Sequence, residues 1–129
     1  LLTKISDLGL QNVVVLTGDI HAGGAADIRL PDAGTEGEIV ASEFVGTSIS
    51  SGGDGVEKPA YLGSLHSENP FVKFHNAERG YVLCEVSRDH WKTAYRTVDY
   101  VTRPGSPVRT RAKFVVEPGL SAQLLALHR

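Results

Sequence analysis

Two residues of metal-binding type, Asp19 and His21, stand with one residue between them. Aspartate supplies a hard carboxylate oxygen and histidine a neutral imidazole nitrogen, a pairing suited to zinc, iron or manganese. Val13-Val14-Val15-Leu16, just before them, is an apolar, β-branched run too short for a helix, and Gly18 breaks it ahead of the aspartate. A run of this kind bounded by turn signals reads as a buried strand. In open α/β sheets, ligands gather beyond the carboxyl ends of strands. The same tripeptide also has a plainer reading. Asp19 can cap the turn after Gly18, with His21 a partly buried loop histidine, and three residues alone do not separate the two.

Other chemistry-bearing residues are scattered more widely. Arg79, ahead of Gly80-Tyr81, could face a phosphate or form an ion pair at a strand start. His75 shares a strand face with Phe71 and Lys73 and could line a substrate cleft, as could His66. Otherwise His66, His90 and His128 read as surface or packing residues. Glu43, on an apolar strand face, reads as an edge-strand carboxylate or an ion-pair partner. Gly23-Gly24 could cradle a phosphate but lacks the rest of a P-loop. The tract from Gly46 to Gly55 is rich in hydroxyls and glycine; it could bind an oxyanion, but its composition is that of a mobile loop. Ser48 and Ser50 are candidate nucleophiles without the Gly-x-Ser-x-Gly elbow that would expose one. Cys84 sits in an apolar run and reads as a buried, inert thiol.

These residues need elements to hold them. Residues 2–9 have helical spacing closed by Gly9. Residues 12–17, 25–30 and 38–47 read as strands, the last two joined as a hairpin. Weak helical character follows Pro59 through Glu68. Residues 69–76 read as a strand, 76–80 as a turn, and 81–87 with 91–101 as a hairpin around Arg88-Asp89-His90. Residues 112–117 read as a last strand and 120–129 as a short helix. About seven strands against two or three short helices give an α/β class tending to α+β, with a mixed, largely antiparallel β-sandwich. Residues 1–129 form a single domain.

Composition sets the outer bounds. The chain has 129 residues and a formal net charge of −2, with 41% hydrophobic and 22% charged residues. That is ordinary for a globular domain with a real core. No basic excess points to nucleic acid, and no basic amphipathic stretch or long apolar run points to a membrane. There is no methionine, so the chain is expected to be processed or to be a piece of a longer one.

The order of segments resembles a known family. Leu16-Thr17-Gly18-Asp19-Ile20-His21 is similar to the C-terminal metal motif of the PhoD-type alkaline phosphatases, a branch of the metallophosphoesterases. Glu43-Phe44-Val45-Gly46-Thr47-Ser48-Ile49-Ser50-Ser51 resembles that family's next block. Asn69-Pro70-Phe71-Val72-Lys73-Phe74, Arg79-Gly80-Tyr81-Val82, Trp91, Tyr95-Arg96 and Val98-Asp99 resemble the block after it. The resemblance covers roughly residues 10 to 117. It implies a β-sandwich flanked by helices and a phosphomonoesterase or phosphodiesterase, acting on a phosphate ester. It also implies export and a multi-metal centre of iron and calcium. Carried over to this chain, the Gly-Asp-x-His element makes Asp19 and His21 metal ligands and the catalytic pair, with Asp19 alternatively orienting His21. The family's early Asp-containing motifs and its Gly-Asn-His element are absent here. The chain is therefore expected to be the C-terminal part of a larger catalytic domain, inactive alone and prone to pair with itself through an uncovered sheet face. Its rivals are a non-catalytic β-sandwich binding module and a serine hydrolase.

Overall fold

A computed structural model describes residues 1–30, 37–118 and 125–126. Two short helices, α1 (Leu2–Asp7) and α2 (Leu62–Glu68), accompany eight strands. The strands are β1 (Val14–Thr17), β2 (Gly23–Arg29), β3 (Ile39–Val45), β4 (Gly55–Val56), β5 (Val72–Val86), β6 (Trp91–Val98), β7 (Val108–Val116) and β8 (Leu125–Ala126). They form one sheet in the order β1-β3-β2-β5-β6-β7-β8, with β4 added beside β5. Among the described residues only β1 and β3 pair in parallel; the other pairings are antiparallel. Among the described residues no helix is long and apolar enough to cross a membrane.

Strand alternation aims one side of this sheet at the core. On β3, Val40, Ser42 and Phe44 point inward and are buried. They are joined by Ala25 from β2, Tyr95 from β6, and Phe114 and Val116 from β7. Phe44 and Phe114 lie four strands apart in the sheet, yet their ring centroids are 6.2 Å apart. The sheet must therefore curl so that both ends close over the same aromatic cluster. Phe74 against Tyr95 at 4.7 Å and Tyr95 edge-on to Phe114 at 6.0 Å fill the middle. Such aromatic pairs add about 0.5–1.5 kcal/mol each beyond their buried area.

Several expectations change in detail. Gly23-Gly24 is not a phosphate cradle at the end of a turn. Both glycines lie in β2, and a Cβ on Gly23 would press within 3.1 Å of the Tyr95 ring. The Tyr95 hydroxyl donates to the Gly24 carbonyl, and burial pushes its pKa well above the ordinary phenol value. The glycines make room for an aromatic side chain. Glu43 is on an interior strand, not an edge, and accepts a hydrogen bond from the Thr17 hydroxyl at 2.8 Å. The turn expected at 76–80 is continuous strand: β5 runs unbroken for fifteen residues. β7 begins four residues earlier than the spacing suggested, at Val108. The helix expected over 120–129 is not formed at Leu125–Ala126. Leu125–Ala126 pairs with β7 as a strand, and the rest of 119–129 lies outside the described residues, as do His128 and the 31–36 connection of the β2–β3 hairpin.

Candidate metal-binding turn

β1 ends at Thr17, and Asp19 and His21 follow in the turn that leads into β2. The parallel pairing with β3 places this turn beside the loop that leaves β3 at Val45. The Gly46 N–H donates to the Thr17 carbonyl at 2.9 Å and holds the two exits together. Asp19 and His21 have φ values of +75° and +56°. Left-handed backbone costs an L-residue roughly 1–2 kcal/mol, less for aspartate and histidine than for most. It persists only where the surroundings hold it. Two such residues flanking Ile20 make a sharp reversal that turns both side chains outward. Both are exposed.

The restraint comes from Arg79 on β5. Its guanidinium Nη1 donates to the His21 carbonyl at 2.6 Å and to the Ser48 hydroxyl at 3.0 Å, while Nε donates to the Gly53 carbonyl at 2.9 Å. Arg79 is only 6% exposed. Among the described residues it has no carboxylate partner, so the ion pair expected at this strand start is not formed. The Gly46–Gly55 tract, mobile by composition, is tied at several points. Besides Arg79, the Ser48 hydroxyl donates to the Ser51 carbonyl at 2.7 Å, and β4 pairs with β5. Asp54 accepts from the Val101 and Thr102 N–H groups at 2.7 and 2.9 Å. These backbone donors, Val101 first, hold the Asp54 carboxyl below the ordinary carboxylate range. Ser48 therefore has an arginine and a carbonyl for partners, and among the described residues no base bonds to it to make it a nucleophile.

His75 is placed elsewhere. It pairs with Gly24 in the sheet, and its Nε2 lies 3.1 Å from the Tyr61 hydroxyl at the start of α2, the rings edge-on at 5.6 Å. Burial, and then the nearby charge of His66, lower its pKa from the usual histidine value. Among the described residues no hydrogen bond joins His75 to Asp19, His21 or Arg79. His66 is exposed, and His90 lies 3.4 Å from a Glu85 oxygen. Burial raises the Cys84 pKa, against a hydrogen bond with Thr93, and this favours the thiol form. Arg79 thus holds the backbone of the turn that carries Asp19 and His21, and His75 does not join them. The roles of Ser48 and of the Gly53 carbonyl were hidden in the glycine-rich tract; the closely spaced Gly52, Gly53 and Gly55 were the signal available.

An exposed carboxylate and an exposed imidazole at a strand's carboxyl end suit a metal that accepts both oxygen and nitrogen, such as iron. Calcium prefers oxygen alone, so only Asp19 suits it. Among the described residues no third histidine, cysteine, aspartate or glutamate joins them to complete a metal-binding group. His21 is not packed into an aliphatic interior, as a purely structural histidine would be.

Comparison with known proteins gives this turn its context. The chain is 46% identical to alkaline phosphatase D of Bacillus subtilis (strain 168) over 113 residues, which is 88% of this chain and 19% of that protein. A solved structure, titled "Structure of PhoD", superposes with a TM-score of 0.90 at 41% identity, covering 98% of this chain and 24% of the other. The chain thus spans about a fifth to a quarter of the length of these relatives. Residues 1–95 match the family described as PhoD-like phosphatase, a range that takes in β1 to β5, most of β6, the left-handed turn and its arginine. The chain belongs to the PhoD-like phosphatase family.

Proposed function

We propose that this chain supplies one side of the metal centre of an exported phosphoric ester hydrolase, with His21 and Asp19 as ligands. The carrying observation is the left-handed Asp19–His21 turn, held from behind by a buried arginine and open in front. His21 would hold iron through a ring nitrogen, and Asp19 would offer its carboxylate to iron or to calcium. When bound, the metal ions supply polarisation of the phosphoryl oxygens and a coordinated water acidic enough to ionise near neutral pH. The chain's own part is to fix the two donors at one spacing, so that no reorganisation is needed during phosphoryl transfer.

The further ligands come from outside this chain in our reading, so the chain alone is inactive. Leu16, ahead of the ligand turn, and Ile20, within it, are 58% and 63% exposed and are surfaces for the rest of the enzyme to cover. When they are uncovered, the chain self-associates through its apolar surface. The non-catalytic module has no account of a strained turn that aims a carboxylate and an imidazole into solvent.

The test is made on the full-length protein that carries this chain. Metal content and hydrolysis of bis-p-nitrophenyl phosphate and p-nitrophenyl phosphate are compared with those of the His21→Ala variant. The variant is expected to lose at least about 100-fold in activity, beyond what loss of a ligand's supporting partner costs, together with part of its bound metal. Unchanged metal and activity would remove His21 from the centre.

A further inference from the structure

We propose that Arg79 is the positioning residue of the Asp19–His21 turn, fixing the turn through the His21 carbonyl and not by touching substrate. The inference rests on the reading of Asp19 and His21 as metal ligands. A buried cation is ordinarily paired with an anion. Arg79 is buried, yet its three acceptors are the neutral oxygens of His21, Gly53 and Ser48. They come from two loops some thirty residues apart in the chain, the β1–β2 turn and the β3–β4 loop. One planar group with donors at fixed angles therefore sets the spacing between those loops.

The surroundings are shaped to this clamp. A Cβ on Gly52 would lie 3.7 Å from Arg79 Nη2 and 3.8 Å from His21 Nδ1, so the guanidinium and the ligand ring border the same glycine. A Cβ on Gly55 would lie 3.0 Å from Nη2. Ser48 is braced in turn: its carbonyl accepts the Gly80 N–H at 3.1 Å. Asp54 anchors the far end of the loop to Val101 and Thr102. Nη1 and Nε are fully engaged in this work. Lysine, a single point charge on a flexible stem, cannot span both loops.

The experiment compares Arg79→Lys with the parent full-length enzyme. Its readouts are metal content after gel filtration, kcat and KM for bis-p-nitrophenyl phosphate, inhibition by inorganic phosphate, and the melting temperature of the metal-stripped protein. Metal occupancy and kcat are expected to fall at least about 10-fold, as for loss of a ligand's supporting partner. KM and phosphate inhibition stay within about two-fold, and excess iron partly restores kcat. A folded variant with full metal and full kcat overturns the proposal. So does retained metal with KM and phosphate inhibition weakened 10-fold, which would place Arg79 on the substrate. If Arg79→Lys does not fold, Ser48→Ala tests the same clamp without a buried vacancy. It should lose metal and kcat about three-fold, and no change in either overturns the proposal. His21→Ala run alongside separates the two ideas. Loss of metal there with none in Arg79→Lys sinks the positioning role alone, whereas full metal and activity in His21→Ala sinks the ligand reading itself.

Discussion

Replacing Gly80 with alanine is expected to unfold this domain or to destabilise it by at least about 3 kcal/mol, the upper end of ordinary overpacking. β5 pairs with β2 as far as Asn76 and with β4 as far as Glu78, then with β6 from Arg79 on, which sets Gly80 opposite Thr97. A methyl group there would overlap the Arg96 carbonyl oxygen and sit 2.8 Å from the Thr97 Cα. Both obstacles are backbone, held in the β5–β6 and β6–β7 ladders, so neither can swing aside as a flexible side chain would. The cost is large against a total stability of about 5–15 kcal/mol. Because Gly80 follows Arg79, any relief by sliding β5 also withdraws the guanidinium from the His21 carbonyl. Denaturant titration of the full-length protein checks this, and an alanine variant with the parent's midpoint would refute it.

The same glycine marks the limit of what periodicity could reveal. Strand signals were legible where apolar residues alternated under a turn: the strands read at 25–30, 38–47, 81–87 and 91–101 all fall on observed strands, although β2 begins earlier, at Gly23, and β3 and β6 end earlier, at Val45 and Val98. Asn76 to Gly80 looked like a turn because it holds asparagine, charges and glycine. In the fold those polar residues are buried and hydrogen-bonded, partly to one another and partly to distant residues. Asn76 and Glu78 are hydrogen-bonded together, Arg79 is spent on carbonyls, and the glycine is needed for a close approach. A local pattern cannot register partners that lie twenty or thirty residues away. The chemistry followed the same rule. Asp19 and His21 were visible as types at a spacing, but the left-handed backbone that presents them depends on Arg79, fifty-eight residues beyond His21.

β5 therefore serves the site from two sides. Arg79 reaches toward the turn, while Glu78, one residue before it, holds β7. That anchoring makes the second large effect. Glu78 is 5% exposed and takes two hydrogen bonds from Arg111, at 2.7 and 2.6 Å. Asn76 adds a third at 2.9 Å and Thr97 a fourth at 3.2 Å. Burial by itself would raise the Glu78 pKa, but these donors and the Arg111 charge outweigh it and hold the carboxyl below its ordinary value. Glu78→Ala is expected to cost about 3 kcal/mol, the low end for breaking a buried pair. The low end applies because Arg111 keeps Glu57 at 3.4 Å and Asp99 at 3.8 Å. The pH dependence follows from the direction of the shift. A carboxyl whose folded pKa is depressed contributes its full stability above the unfolded value, about 4.3. That contribution fades as pH falls from there through the lower folded value. Between about pH 5 and pH 3, the parent should therefore lose melting temperature faster than Glu78→Gln, which starts lower at neutral pH and has no such proton to take up. Melting curves for the two full-length proteins that stay parallel across that window would show that the Glu78–Arg111 pair does not hold β5 against β7, and that the arginine clamp is anchored by the sheet ladder alone.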